Sequence, residues 1–259
     1  MWAVATGGLL AAGLIWSWGR SKLPALEYFC LGIMRLYARL YHNVWIRPHT
    51  RLPAKGPLLL IANHTCSADP AFLQACIPRA MSFLIAEEYF GIRGLGWLFH
   101  YMQCIPVARN GRDITSVRVA LRRLQAGRAV CVFPEGSLSG TGRGRMRTAK
   151  RGAAYLALKS GVPVYPAFIR GGPQHTHVAS AWLVSSRAGI VLGKPVDLSR
   201  FCGTRITRPV LEEVGALLTS QIVALDPHGK KPPKPYPPLG ENPYDRRRRR
   251  ARQKALSAV

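Results

Sequence analysis

Apolar and polar residues fall along this chain in blocks of two kinds. Continuous apolar runs such as Pro57-Leu58-Leu59-Leu60-Ile61-Ala62 and Val130-Cys131-Val132-Phe133 are short enough for buried strands, and strands are read near 57–62, 81–86, 104–107, 129–133, 163–169 and 188–193. Between them, apolar residues recur at intervals of three and four, which predicts helices near 70–77, 91–102, 113–126, 148–160 and 207–224. The helix at 113–126 is the clearest. Asp113 can cap it, Ile114, Val117, Leu121 and Leu124 form its buried face, Gly127 can end it, and Arg118, Arg122 and Arg123 mark its other face. This order of strands and helices implies an α/β fold, a mixed sheet flanked by helices.

Ahead of the first strand, Leu26, Phe29, Ile33, Tyr37, Leu40 and Val44 recur at helical spacing, with Arg35, Arg39 and His42 as a polar stripe, so residues 24–44 read as an amphipathic helix. Two readings stand side by side: a membrane-interface helix, and a helix packed on the core with a solvated basic face. Residues 1–19 carry no charge and as a helix would extend about 28 Å, close to a bilayer core of roughly 30 Å. Arg20 and Lys22 follow directly, which by the positive-inside tendency sets the remainder on the cytoplasmic face. Past Leu225 the Pro- and Lys-rich run and Arg246 to Arg250 have too little apolar surface to fold. The expected organisation is an N-terminal membrane-associated segment (1–50), an α/β domain (51–225) and a disordered polybasic tail (226–259).

Composition narrows the partners. Of the net charge of +25, the tail from Asp226 contributes +7, which leaves +18 on the rest. The body is therefore basic in its own right, and an anionic partner follows. No motif that interleaves aromatic and basic residues is present, so nucleic acid is not expected. The six cysteines form no C-x-x-C pair, which suits a reducing compartment.

Candidate chemistry sits where two strands end. His64 emerges from the first strand, five residues ahead of Asp69; an imidazole there can take a proton from a hydroxyl, and a carboxylate on its other nitrogen would fix the tautomer. Asp69 has a second reading, because Asp before Pro70 is a common helix cap. The run Phe133-Pro134-Glu135-Gly136-Ser137 ends another strand in a small polar turn.

Asn63-His64 with Asp69, Ile105-Pro106-Val107-Ala108-Arg109, Phe133-Pro134-Glu135-Gly136-Ser137-Leu138-Ser139 and Val162-Pro163-Val164-Tyr165-Pro166 together resemble the four blocks of the glycerolipid acyltransferases typified by 1-acylglycerol-3-phosphate acyltransferase. The similarity spans roughly residues 55–170. It implies acyl transfer from a thioester, carried by coenzyme A or acyl carrier protein, to a hydroxyl of a lysophospholipid, lysophosphatidate first, with no cofactor or metal. His64 would be the base and Asp69 its orienter. Arg109 would hold the acceptor phosphate, Glu135 would order the site, and Gly136 would let substrate approach the backbone beside Ser137. Backbone N–H groups beside Gly136, or in the turn after His64, are the expected oxyanion donors.

The chain also departs from the pattern. Ser137 replaces Thr and Leu138 replaces Arg in the third block, Cys66 stands where Ser is common, and Gln103 stands where Gly is common. The loss of Arg at 138 opens a different lysolipid or an aminoacyl lipid as acceptor, and Arg143, Arg145, Arg147, Lys150 and Arg151 could restore charge from the Gly-rich stretch that follows. A serine hydrolase is disfavoured because Leu138 occupies the centre of Gly136-Ser137-Leu138-Ser139-Gly140. A Cys66 nucleophile and a metal at His175 and His177 lack the partners they need. A non-catalytic basic lipid-binding protein is the rival from outside enzymes.

Overall fold

The structure, a computed structural model, describes residues 24–108, 113–138, 146, 149–173 and 180–226. The chain order is α1 (Ala25–Leu36), continued by a π-helical turn over Tyr37–Tyr41, then β1 (Trp45–Pro48), β2 (Leu58–Ala62), α2 (Asp69–Gln74), β3 (Met81–Ala86), α3 (Leu95–Tyr101) and β4 (Ile105–Val107). There follow α4 (Ile114–Gln125), β5 (Ala129–Val132), α5 (Arg151–Ser160), β6 (Val164–Arg170), α6 (Ser180–Leu183), β7 (Gly189–Leu192) and α7 (Arg208–Val223). The seven strands form one mixed sheet in the order β1-β7-β6-β2-β5-β3-β4. Strands β2 to β6 run parallel, β7 runs against β6, and β1 runs with β7.

All five residues of β2 are fully buried because helices cover both faces of the sheet. Each of its leucines contributes about 1.5–3 kcal/mol of transfer free energy. Side chains alternate between two cores. Leu58, Leu60 and Ala62 share one with Leu31 and Ala38 of the N-terminal helix and with Phe72 and Leu73 of α2. Leu59 and Ile61 share the other with Ala120 and Leu124 of α4, Ala154 and Leu156 of α5, and Leu218 and Ile222 of α7. The architecture is therefore three layers, with α1 and α2 on one face and α4, α5 and α7 on the other.

All six strands read from the sequence are present, and α4 keeps its expected ends: Asp113 Oδ1 accepts from Ser116 N at 2.9 Å, and Gly127 follows with φ +76°. The helix expected at 91–102 is shorter because Gly94, at φ +83°, separates α3 from a 3₁₀ turn over Glu87–Gly91. The strand β1 was not expected. It lies at an exposed edge with no apolar alternation, and its Trp45 ring occupies the space that a side chain at Gly189 would need, while the Arg170 guanidinium stacks 4.7 Å above that ring.

The N-terminal helix packs on the core, but through the other side from the one the spacing suggested. Leu26, Phe29, Ile33, Leu36 and Leu40 form a stripe that faces outward, with Ile33 and Leu40 69% and 70% exposed. The polar stripe turns partly inward: Arg35 Nη2 donates to the carbonyl of Ile77 at 2.7 Å, and His42 is fully buried. A helix with a solvated basic face on an apolar contact is thus corrected. The π turn advances the chain by one residue, so that His42 reaches the interior. There it bridges Tyr37 Oη at 2.8 Å and Ser186 Oγ at 2.9 Å. Among the described residues no helix is long and apolar enough to cross a membrane; the span expected over 1–19 lies outside them, as does nearly all of the tail.

Candidate active site

Parallel strands β2, β5 and β6 end at the same edge, which is where α/β sheets gather ligands. Asn63, the first residue past β2, ties that end to β6: its Nδ2 donates to Ile169 O at 2.8 Å and its Oδ1 accepts from Ile169 N at 2.7 Å. The sequence alone assigns this double link no role, although Asn63 precedes the histidine directly. It fixes the point at which the chain turns out of the sheet.

His64 follows, and its Nδ1 lies 2.9 Å from Asp69 Oδ2. That oxygen also accepts from Thr65 N at 2.5 Å and Cys66 N at 2.9 Å, while Oδ1 accepts from Thr65 Oγ1 at 2.8 Å and Cys66 Sγ at 3.3 Å. Five donors on one buried carboxylate over-determine its position. Since Asp69 only accepts in this network, Nδ1 of His64 carries the proton and Nε2 of the neutral ring is basic. The capping alternative for Asp69 does not hold: the residue lies inside the first turn of α2 and its carboxylate points back to the His64 turn. The imidazole stacks on Phe133, centroids 4.0 Å apart and planes 13° apart. Its side chain keeps 19% of its surface exposed, enough for a substrate atom to reach.

From the end of β5, the buried carboxylate of Glu135 accepts from His64 N at 3.0 Å, so the two strand ends are joined at the base of the imidazole. Gly136 turns with φ +65°, and a Cβ there would lie 2.3 Å from Lys150 Nζ. Two demands therefore exclude a side chain, the left-handed backbone and the ammonium crossing its α-carbon. Lys150 is held in place by its own backbone N, which donates to Pro134 O at 2.8 Å. Ser137 follows on the same turn, half-buried.

The structure thus gathers His64, Asp69, Glu135, Gly136 and Ser137 at one edge. Arg109 lies outside the described residues, as do Arg143, Arg145, Arg147, His175 and His177. In the turn after His64, Thr65 N and Cys66 N both serve Asp69 and so are not the expected oxyanion donors; at the other expected place, Gly136 N itself is taken by Phe133 O at 3.0 Å. Among the described residues, Lys150 is the downstream cation that reaches this turn. Cys66 is fully buried, and burial followed by the charge of Asp69 drives its thiol far above the ordinary range, so it is no nucleophile. Gln103, where the resemblance expects glycine, adopts φ +54°, the backbone shape that favours glycine.

Comparison with known proteins agrees with this geometry. The family model described as Acyltransferase matches residues 43–170. The chain is 27% identical over 164 residues to the 1-acyl-sn-glycerol-3-phosphate acyltransferase of Saccharomyces cerevisiae, covering 62% of this chain and 49% of that protein. Similarity to the chloroplastic 1-acyl-sn-glycerol-3-phosphate acyltransferase of Arabidopsis thaliana is 23% over 175 residues, covering 63% and 48%. To the lyso-ornithine lipid O-acyltransferase of Brucella abortus it is 31% over 128 residues, covering 48% and 47%. The crystal structure of the 1-acyl-sn-glycerophosphate acyltransferase PlsC from Thermotoga maritima superimposes with a TM-score of 0.61 at 20% identity, over 86% of this chain and 91% of that one, and shows that the fold is shared. Residues 43–170 thus carry an acyltransferase domain, and the chain is similar to glycerolipid acyltransferases. It spans about half the length of most of the curated relatives it matches.

Proposed function

We propose that this chain moves a fatty acyl group from an acyl-thioester, borne by coenzyme A or acyl carrier protein, to the hydroxyl of a lysolipid at the cytoplasmic surface of a membrane. The observation that carries the reading is the His64 Nδ1–Asp69 Oδ2 contact on a partly exposed imidazole. Nε2 takes the acceptor's hydroxyl proton while its oxygen attacks the thioester carbon. Asp69 steadies the imidazolium that forms. The tetrahedral intermediate then expels the thiolate, which recovers the proton from His64 and leaves as a free thiol. No acyl-enzyme is needed. Lys150 Nζ, laid across Gly136, supplies positive charge for the oxyanion.

Lysophosphatidate is the first acceptor, with Arg109 as its phosphate ligand, since a guanidinium forks onto phosphate oxygens. A second acceptor class is favoured by a specific observation: Leu138 stands where Arg is usual, and the 31%-identical relative is named for a lyso-ornithine lipid. An aminoacyl lysolipid needs no phosphate clamp. The outward apolar stripe of α1 supports membrane attachment, because a contiguous exposed row of large apolar side chains marks an interaction surface, and the basic body adds attraction to anionic lipid.

The test is transfer of a labelled acyl group from both thioester donors to lysophosphatidate, other lysophospholipids and a lyso-ornithine lipid. Transfer to at least one acceptor is expected. Arg109→Ala should raise the KM for lysophosphatidate about tenfold or more if the phosphate reading holds, and should leave a phosphate-free acceptor unaffected. Wild-type protein that transfers to none of these acceptors would end the reading.

A further inference from the structure

The two outer layers of this molecule differ in chemistry. On the α1 face an apolar stripe points outward, with Arg39 exposed beside it; on the opposite face α4 presents Arg118, Arg122 and Arg123 and carries no acidic residue along its twelve positions. Arg118 and Arg122 are exposed, and none of the three forms an ion pair among the described residues. On the same face α7 is different, because its Arg208 is paired with Glu212 and its Glu213 with Arg200. Behind the end of α4, the Nε atoms of Arg123 and Arg128 are buried without an acceptor among the described residues. Positive charge is concentrated on α4 and left unbalanced.

This stripe leads to the site. Asp113, at the start of α4, accepts from Ala108 N at 2.8 Å just past β4, so the helix begins at the edge where β2 and β5 deliver His64 and Glu135. Arg118 lies about 6 Å and Arg122 about 12 Å further along the helix axis. A groove of about 530 Å³ on this surface is lined by Thr115, Arg118, Leu121, Arg122 and Gln125. The first turn of α5 abuts the same stretch of α4, since a Cβ at Gly152 would meet Val117 Cγ2 at 3.7 Å. A basic track thus runs from Arg122 and Arg118 past Arg151 to Lys150, over Gly136.

We infer that the α4 surface docks an acidic carrier protein that presents the acyl-thioester on a flexible arm, the arm entering along Arg151 and Lys150. This rests on the acyl-transfer reading above and names its donor. A lipid surface does not suit α4: a plane that covers the α1 stripe lies on the far side of the sheet, with two helix layers and the strands in between. Coenzyme A offers a compact cluster of phosphates, whereas arginines spaced along a helix axis match the extended acidic face of a carrier protein. No aromatic residue on α4 offers a base-stacking surface for nucleic acid.

The experiment compares full-length wild type with Arg118→Glu/Arg122→Glu, using labelled palmitoyl-acyl carrier protein and palmitoyl-coenzyme A as donors. Sedimentation with anionic phosphatidylglycerol vesicles is measured beside them. The variant should raise the KM for the carrier-protein donor about tenfold or more, through slower encounter, while palmitoyl-coenzyme A kinetics stay within about twofold and vesicle binding is unchanged. In wild type, added NaCl should raise the carrier-protein KM and leave the coenzyme A value nearly flat. The milder Arg118→Gln/Arg122→Gln pair should move the same way by less. Equal loss on both donors, no loss on either, or wild type that uses coenzyme A and ignores the carrier protein would each overturn the docking surface while acyl transfer stands. Loss of vesicle binding would make α4 a lipid-facing surface instead. Wild type inactive with both donors would remove the acyl-transfer reading itself, and the inference with it.

Discussion

In the turn from Asn63 to Asp69 a carboxylate with no solvent contact collects five donors, whereas on α1 and its π turn five large apolar side chains face outward. Each region inverts the usual burial preference. The difference is in how the inversion is sustained. The turn is stabilised from within, by hydrogen bonds that leave Asp69 one place to be. Among the described residues the stripe has no such compensation, and in the proposed reading an external apolar surface covers it. Substitutions in the first region should therefore abolish chemistry and disturb the fold, and substitutions in the second should abolish attachment and leave the fold alone.

The largest expected effect is at the turn. His64→Ala should lower acyl transfer by about 10³-fold or more, with vesicle binding retained. Asp69→Asn should lower it by about 10²-fold or more, because an amide cannot accept from every donor that the carboxylate serves. It should also cost about 2–4 kcal/mol of unfolding free energy, through buried donors left without acceptors. Kinetics and denaturant unfolding on both variants check this. A His64→Ala enzyme that still turns over at the wild-type rate would remove the turn from the chemistry.

Next comes the stripe. Ile33→Asp/Leu40→Asp should lower partition onto vesicles by about 100-fold or more, since each buried aliphatic side chain is worth about 1.5–3 kcal/mol. The melting temperature should stay near wild type, because neither side chain packs in the core. Transfer to a short-chain, water-soluble acceptor should survive. Unchanged vesicle binding in this variant would mean that another surface carries attachment.

How far each region was legible in the sequence follows from the same contrast. The apolar runs of β2, β5 and β6 are continuous because both faces of the sheet are covered, so they stood out, and with them the strand ends that carry His64 and Glu135. Local spacing could not decide between a capping and an orienting Asp69, since Pro70 suits either; only the fold shows the carboxylate turned back. Of the two readings of α1, the structure overturns the one that packs its apolar face on the core, for a related reason. Periodicity finds an apolar face but not what covers it, and the core-packed reading buries the side that the structure leaves outward. The edge strand β1 carries no local pattern, as its pairing with β7 joins residues far apart in the chain. Gln103 is the reverse case, a residue at φ +54° whose conformation was foreshadowed by the glycine usual at that place.

The smallest expected effect concerns the residue between the two regions. His42 touches Phe72 of α2, ring centroids 4.9 Å apart, and holds Tyr37 at the end of the N-terminal helix. Tyr37 Oη donates to Trp182 O at 2.5 Å and so accepts from His42 Nε2, which leaves Nδ1 to accept from Ser186. The neutral ring thus satisfies both contacts. Burial lowers the His42 pKa from its ordinary 6.5, so as pH falls below about 6.5 the unfolded chain binds a proton that the folded one refuses. The stability that His42 confers is full above that pH and declines as pH falls toward the lowered value, by at most about 1.4 kcal/mol per pH unit. Denaturant midpoints from pH 7.5 to 5.0 should fall more steeply for wild type than for His42→Gln, which can donate and accept in the same place without titrating. Parallel slopes would show that this imidazole does not couple α1 to the turn through its charge state, and that the two regions are joined by packing alone.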